Sequence, residues 1–263
     1  MIRNLLLISN STNAGEEYLT WPRTYMKDFL SGFGVRKVLF IPYAGVNLTS
    51  SGVEKSFDLY EDRVKKIFRE MGFSLHSIHR EPNPVVAVNE AESIVIGGGN
   101  TFHLALMMQE YGMMEAIRRK VLRGIPFIGW SAGANVACPT MKTTNDMPIC
   151  EPPSFNCLKL VPFQINPHYL DVNPAGHAGE TREQRIVEFL SVNRDATVVG
   201  LREGCLLQVS GDTMNLVGDR TLRIFRFGME PQEYQAGENL DFLLKKDDGS
   251  GTDTYINPTS PNL

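Results

Sequence analysis

Phe127-Ile-Gly-Trp-Ser-Ala-Gly-Ala-Asn-Val-Ala-Cys138 reads as a short buried strand, a sharp turn of small residues and the start of a helix. Ser131 stands between Gly129 and Gly133, the Gly-x-Ser-x-Gly spacing of a nucleophile elbow. A tight strand-to-helix turn forces the serine into strained backbone angles. Small neighbours let the chains pass closely, and the hydroxyl is pushed out at the end of the sheet. The backbone N–H of Ala132 points at the same place, where an oxyanion would form. The same pattern also builds packing and phosphate-binding turns, so the motif alone leaves catalysis open.

Outward from this stretch the chain alternates strands and helices. Upstream, the strand Ser93–Ile96 runs into Gly97-Gly-Gly-Asn-Thr101, with a helix to about Tyr111 and another over Glu115–Arg123. Earlier still, Asn4–Ile8, Lys37–Ile41 and Phe73–Ile78 read as strands. Tyr18–Leu30, Phe57–Met71 and Pro84–Asn89 read as helices, the second with Val64, Ile67, Phe68 and Met71 at helical spacing and Gly72 as its stop. Apolar strands without alternation, separated by helices, predict a mostly parallel sheet covered on both faces, an α/β three-layer sandwich. Ligands bind such sheets beyond the carboxyl ends of the strands, so the turns at Gly97–Gly99 and Gly129–Gly133 are expected to share one crevice.

Downstream, Met141–Asn173 is loop-like. Thr181 and Gln184 form a capping box that opens a helix to about Leu190. Thr197–Leu201, Leu206–Ser210 and Met214–Val217 read as strands, the later ones antiparallel. From Lys245 on, Asp, Gly, Ser, Thr, Asn and Pro dominate. The expected organisation is one domain over residues 1–244 and a disordered tail over 245–263.

Composition narrows the function classes. Of 263 residues, 42% are apolar and 21% charged, which suits a soluble chain with a sizeable core. A net charge of −4 without a Lys/Arg-rich block argues against nucleic acid as a partner. Cys138, Cys150, Cys157 and Cys205 form no Cys-x-x-Cys pair, which predicts reduced thiols in the cytoplasm and no zinc site. The apolar run at the N-terminus is too short for a signal peptide or a membrane span, and no other run is long enough.

A serine nucleophile needs a base, and the base an orienting acid. His76 and His79 flank a strand, His103 follows the glycine turn and suits packing at least as well as the crevice, and His177 lies in the Pro174–Gly179 loop, a candidate lid. His168 is the best base. It follows the apolar run Leu158–Ile165, and Asn166-Pro167 is expected to stop that strand and turn His168 towards the sheet end. The acid is open among Asp171, Glu180, Glu183 and Glu203. Glu203 sits just past an apolar strand, although a hairpin-turn glutamate would be ordinary there. The order Ser131, His168, Glu203 differs from that of α/β-hydrolases, whose acid precedes the histidine.

Longer segments carry a resemblance. Leu6-Leu-Ile-Ser-Asn-Ser-Thr12, Phe40-Ile-Pro-Tyr-Ala-Gly45, Val95-Ile-Gly-Gly-Gly-Asn-Thr-Phe102 and Ile128-Gly-Trp-Ser-Ala-Gly-Ala-Asn135 are followed by Thr143-Thr-Asn-Asp-Met-Pro148 and Gln164-Ile-Asn-Pro-His168. Gly176-His-Ala-Gly-Glu-Thr-Arg-Glu-Gln-Arg185 and Gly200-Leu-Arg-Glu-Gly204 complete the set. In this order and spacing they resemble the peptidase E family of serine α-aspartyl dipeptidases. The resemblance implies Ser131 as nucleophile, His168 as general base and Glu203 as its orienting acid. It implies the N–H groups of Gly99 and Ala132 as the oxyanion hole, and Arg182 as the partner of the substrate's aspartyl carboxylate. It further implies a flavodoxin-like fold akin to class I glutamine amidotransferase domains, Asp-X dipeptides as substrates and no metal or other cofactor. A homo-oligomer is compatible with it. Two alternatives stand beside it: a cyanophycinase-like exopeptidase, and a non-catalytic module that binds a small ligand.

Overall fold

The computed structural model describes residues 2–173, 176 and 178–245. His177 and, apart from Lys245, the expected tail lie outside the described residues.

Eleven strands and seven α-helices follow in chain order among these residues. They are β1 (Ile2–Ile8), α1 (Arg23–Gly32), β2 (Lys37–Ile41), α2 (Val53–Met71), β3 (Ser74–Ser77), α3 (Pro84–Glu90), β4 (Ile94–Ile96), α4 (Thr101–Glu110) and α5 (Met113–Val121). Then come β5 (Arg123–Trp130), α6 (Ala132–Asn135), β6 (Gln164–Tyr169), α7 (Arg182–Val192), β7 (Thr197–Arg202), β8 (Leu206–Ser210), β9 (Thr213–Val217), β10 (Leu222–Arg226) and β11 (Gln232–Tyr234).

The main sheet has the order β3-β2-β4-β5-β1-β8-β9. Its first five strands are parallel, β8 adds antiparallel to β1, and β9 adds antiparallel to β8. Counted from β2, the five parallel strands lie in the 2-1-3-4-5 order of flavodoxin-like sheets, with the N-terminal β1 in fifth place. Side chains alternate across the sheet. Leu5 and Leu7 of β1 join Val88, Leu104 and Ile117 of α3, α4 and α5 in one core. Leu6 and Ile8 join Met26 and Leu30 of α1 and Val64 and Phe68 of α2 in the other. The expected three-layer α/β sandwich is therefore present.

A second sheet, β11-β10-β7-β6, is an addition to the sequence reading. One of its faces shares the first core through Ile165, Val199, Leu201 and Ile224. The other packs Tyr169, Val198 and Phe225 against Ile186 and Leu190 of α7.

Several boundaries differ from expectation for local reasons. Helix α1 starts at Arg23 and not at Tyr18, because Leu19 takes a left-handed φ of 57° and Pro22 occupies the N-cap. Helix α2 begins earlier, at Val53, and ends as expected at Gly72, with φ 96°. Strand β3 gives way at Ile78 to a 3-10 turn. Asn166-Pro167 does not stop β6. The strand runs on to Tyr169, because β6 is a sheet edge where a missing proline N–H costs no ladder bond.

Candidate active site

Ser131 sits between β5 and α6 with φ 54° and ψ −113°, a conformation L-residues rarely adopt. Its N–H donates to the Ile8 carbonyl at 3.0 Å, tying the turn to the end of β1. The flanking glycines are required by close approach. A Cβ at Gly129 would lie 2.3 Å from the Gly133 carbonyl oxygen, and one at Gly133 would lie 2.2 Å from that of Ile96. The elbow is thus wedged into the sheet end, and the serine hydroxyl has only the crevice to face.

The turn after β4 is built as tightly. Gly99 has φ 133°, and a Cβ there would stand 2.1 Å from the Ala44 carbonyl oxygen. Asn100 donates its N–H to the same oxygen at 2.8 Å and caps α4 by accepting from the His103 N–H at 3.1 Å. A Cβ on Gly98 would lie 2.9 Å from that of Ser131, so the two glycine-rich turns abut. Both line one cavity of about 350 Å³, at the crevice between the ends of β2 and β4 where the strand order reverses. Among the described residues, neither the Gly99 nor the Ala132 N–H makes a hydrogen bond.

His168 reaches this cavity from the second sheet. The pairing of β6 with β7 slips between Pro167 and Tyr169, and His168 takes a φ of 54°. This bulge re-aims the side chain out of the strand's alternation. The imidazole Nε2 is 2.8 Å from Ser131 Oγ, and Nδ1 is 2.7 Å from Glu203 Oε1. An ionised Glu203 only accepts, so Nδ1 carries the proton and Nε2 is free to accept from the serine hydroxyl. Glu203 lies in the turn where the chain passes from β7 in the small sheet to β8 in the large one. Gly204, φ 78°, makes that turn, and its N–H donates to Asn10 Oδ1 at 2.8 Å. The structure brings Ser131, His168 and Glu203 together, with the N–H groups of Gly99 and Ala132 on the turns beside them.

Other candidates go elsewhere. Asp171 and Glu233 grip Arg202, whose Nε is 2.9 Å from Asp171 Oδ2 and whose Nη1 is 2.9 Å from Glu233 Oε2. Arg202 therefore turns away from the neighbouring Glu203. Hydrogen bonds from Arg202 hold the Asp171 carboxyl below its usual range. Glu183 pairs with Arg223 at 3.1 Å, and the Glu180 carboxylate faces Arg185 at 3.8 Å. His103 donates its Nδ1–H to the Tyr43 carbonyl at 2.7 Å and packs against Phe57, while the His79 side chain is buried beside Ser77 and Asp58. His76 faces Glu81.

Arg182 is the first helical residue of α7, behind the Thr181–Gln184 capping box. It is half-buried and stands outside the cavity that holds Ser131. Burial lowers its guanidinium's pKa, Arg185 adds to this, and Asp146 opposes it. Among the described residues it has no ion pair. The cationic side chain that does line the cavity is Arg63 of α2, lying 5.4 Å from the Tyr18 ring centre. Arg63, Tyr60 and Ser9 escape a sequence reading. Tyr60 and Arg63 share one helix face at i, i+3, but nothing local says that this end of the face borders a cavity.

A profile described as "Peptidase family S51" matches residues 5–217. The chain is 49% identical to a protein named peptidase E from Nostoc sp., over 94% of this chain and 98% of that protein. It is 45% identical to peptidase E of Streptomyces coelicolor, over 92% and 95% respectively. Among solved structures, a peptidase from an acI-B1 Actinobacterium superposes with a TM-score of 0.66 over 91% of this chain and 97% of that one; at 18% identity this likeness speaks for the fold.

Proposed function

The chain belongs to peptidase family S51, and from that premise we propose that it hydrolyses dipeptides with an N-terminal aspartate by way of an acyl-enzyme on Ser131. It is a serine-type peptidase, a hydrolase of peptide substrates, so the reading as a non-catalytic binding module falls away. The observation that carries the finer reading is the unbroken chain from Ser131 Oγ through His168 to Glu203, with contacts of 2.8 and 2.7 Å.

In this mechanism His168 Nε2 takes the proton of Ser131 as the hydroxyl oxygen attacks the scissile carbonyl. Glu203 holds the ring by Nδ1–H and stabilises the imidazolium that forms. The oxyanion lies between the N–H groups of Gly99 and Ala132, which are preorganised by the strained turns that carry them. His168 then protonates the leaving amine, and a water deprotonated by His168 resolves the acyl-enzyme. Arg182 is assigned to the aspartyl carboxylate. Its lack of an ion pair among the described residues supports this, and Arg63 on the cavity wall adds to the attraction for an anionic substrate. Residues 1–244 as one peptidase domain and a cytoplasmic location belong to the same reading. The first draws on the core shared by both sheets, the second on four free thiols. No helix among the described residues is long and apolar enough to cross a membrane.

The test is release of free aspartate from Asp-Leu, with Glu-Leu, Leu-Leu and isoaspartyl-leucine alongside, on wild type and Ser131→Ala. Cleavage of Asp-Leu alone, lost in the variant, is expected. Failure of well-folded wild type on every dipeptide would sink the dipeptidase reading and favour a polymer-cleaving exopeptidase.

A further inference from the structure

Tyr60 lies 71 residues before Ser131 in the chain and touches both turns of the site. Its hydroxyl is 3.0 Å from the Gly98 carbonyl oxygen, 3.0 Å from the Tyr18 hydroxyl and 3.2 Å from Trp130 Nε1. Donor bookkeeping fixes the direction of this relay. A carbonyl oxygen only accepts, so the single Tyr60 proton goes to Gly98. Tyr18 must then donate to the Tyr60 oxygen, and the Trp130 N–H, which only donates, is shared between the two phenols at 3.2 and 3.1 Å. Burial pushes the Tyr60 phenol up to about 12, so it stays a protonated donor throughout the working range.

The ring is held as firmly as the hydroxyl. It meets Phe40 edge-on at 5.1 Å between centres. A Cβ at Gly45 would come within 2.3 Å of the ring, and one at Gly97 within 2.5 Å of the hydroxyl oxygen. Two glycines of the crevice are thus glycines because Tyr60 occupies the space beside them.

The bonded carbonyl is half of a peptide unit. The Gly98–Gly99 bond is trans, so the Gly99 N–H points opposite to the Gly98 C=O. Fixing that oxygen fixes the direction of the N–H. On the other side, the Ala44 carbonyl packs against Gly99 and accepts the Asn100 N–H at 2.8 Å, holding the next peptide unit. Trp130 immediately precedes Ser131, so the relay also braces the elbow that bears the Ala132 N–H. We propose that Tyr60 is a positioning residue for oxyanion stabilisation: by holding the Gly98 carbonyl it aims the Gly99 N–H at the reacting centre. The inference rests on the reading of Gly99 as an oxyanion donor.

The test is Tyr60→Phe, which keeps the ring and removes the bond to Gly98. Removing a whole oxyanion-hole donor costs roughly 10²–10³ in kcat; a mis-aimed donor should cost less, about tenfold, with KM unchanged. An aspartyl aldehyde, which forms a tetrahedral adduct, should lose affinity by the same factor as kcat. The reduced, uncleavable analogue of Asp-Leu, which forms none, should bind as before. Full kcat in folded Tyr60→Phe, or equal weakening of both ligands, would overturn the inference, the second outcome marking a substrate contact or lost packing. Tyr18→Phe removes the donor to Tyr60 and carries the test if Tyr60→Phe does not fold. A two- to fourfold loss confined to kcat and aldehyde affinity is expected, and full kcat there overturns the proposal. Wild type that leaves Asp-Leu intact, or Ser131→Ala that still turns it over, would instead bring down the functional reading, and this inference with it.

Discussion

The Ser9 hydroxyl accepts the backbone N–H of His168 at 2.9 Å and donates to the Leu201 carbonyl at 2.7 Å. Ser9 immediately follows β1 of the large sheet, whereas His168 and Leu201 belong to β6 and β7 of the small one. One hydroxyl therefore ties the His168 backbone to the sheet that carries Ser131. Ser9→Ala should leave a buried N–H and a buried carbonyl without this partner, at a cost of roughly 1–3 kcal/mol in unfolding free energy. It should also lower kcat roughly ten- to hundredfold, because a small displacement of the base is felt strongly in the rate. Urea melts and steady-state kinetics check both; a variant with unchanged kcat would show that the bulge alone positions His168.

Glu203→Gln keeps the shape of the triad but lets the amide donate to Nδ1, which favours the wrong tautomer. A fall in kcat of about 10²–10⁴ is expected, with the melting temperature little changed. Full activity on Asp-Leu would remove Glu203 from the mechanism.

Gly133→Ala places a Cβ 2.2 Å from the Ile96 carbonyl oxygen, a backbone atom that cannot step aside. The expected outcome is a loss of roughly 3 kcal/mol or more, or no folded protein. Gly211→Ala is the contrast, since φ 60° makes it strained while nothing lies within 4 Å. It should be the milder of the two in a thermal melt.

On the proposed role of Arg182, Arg182→Ala should reduce kcat/KM on Asp-Leu by roughly tenfold or more, because a guanidinium can pair a carboxylate bidentately and alanine cannot. Any residual activity on Leu-Leu should not fall with it. Arg63→Ala should raise KM severalfold for Asp-Leu and leave kcat in place, with an effect that shrinks as salt is added. A uniform loss on all dipeptides in Arg182→Ala would return that residue to a structural role in α7.

Acid should loosen the small sheet. Arg202 hydrogen bonds hold Asp171 below its usual pKa, and at Glu233 burial works the other way but the bonds from Arg202 and Thr221 prevail. Both folded-state values are depressed, so their stabilisation is present above the unfolded values of about 3.9 and 4.3 and is lost as pH falls through the folded ones. Arg202→Met should flatten the decline in melting temperature below about pH 4.5, relative to wild type. An unchanged slope would show that other carboxylates govern it.

The parts of this design visible in the sequence are those set by short spacing. Gly129 and Gly133 bracket Ser131 because the turn has no room for side chains, and that need is local. The strands β1, β2, β4 and β5 announce themselves as apolar runs ending in glycine or polar turns. The second sheet escaped, although β10 alternates Leu222, Ile224 inward with Arg223, Phe225 on the other face. Its residues gain meaning only once β7 lies beside them. Pro167 misled because a strand's tolerance for proline depends on being at an edge, a property of the sheet and not of the segment. Tyr60 and Ser9 act on turns 38 and more residues away, and no local pattern encodes such a partnership.

The division of the site between two sheets has a consequence for synthesis. Ser131 belongs to the large sheet, while His168 and Glu203 hang from the small one, and β8 must then return beside β1. A growing chain that has displayed only the serine elbow lacks the His168 contact to the Ser131 hydroxyl. On the proposed triad, peptidase activity requires residue 203 to have left the ribosome and the two sheets to have closed on each other.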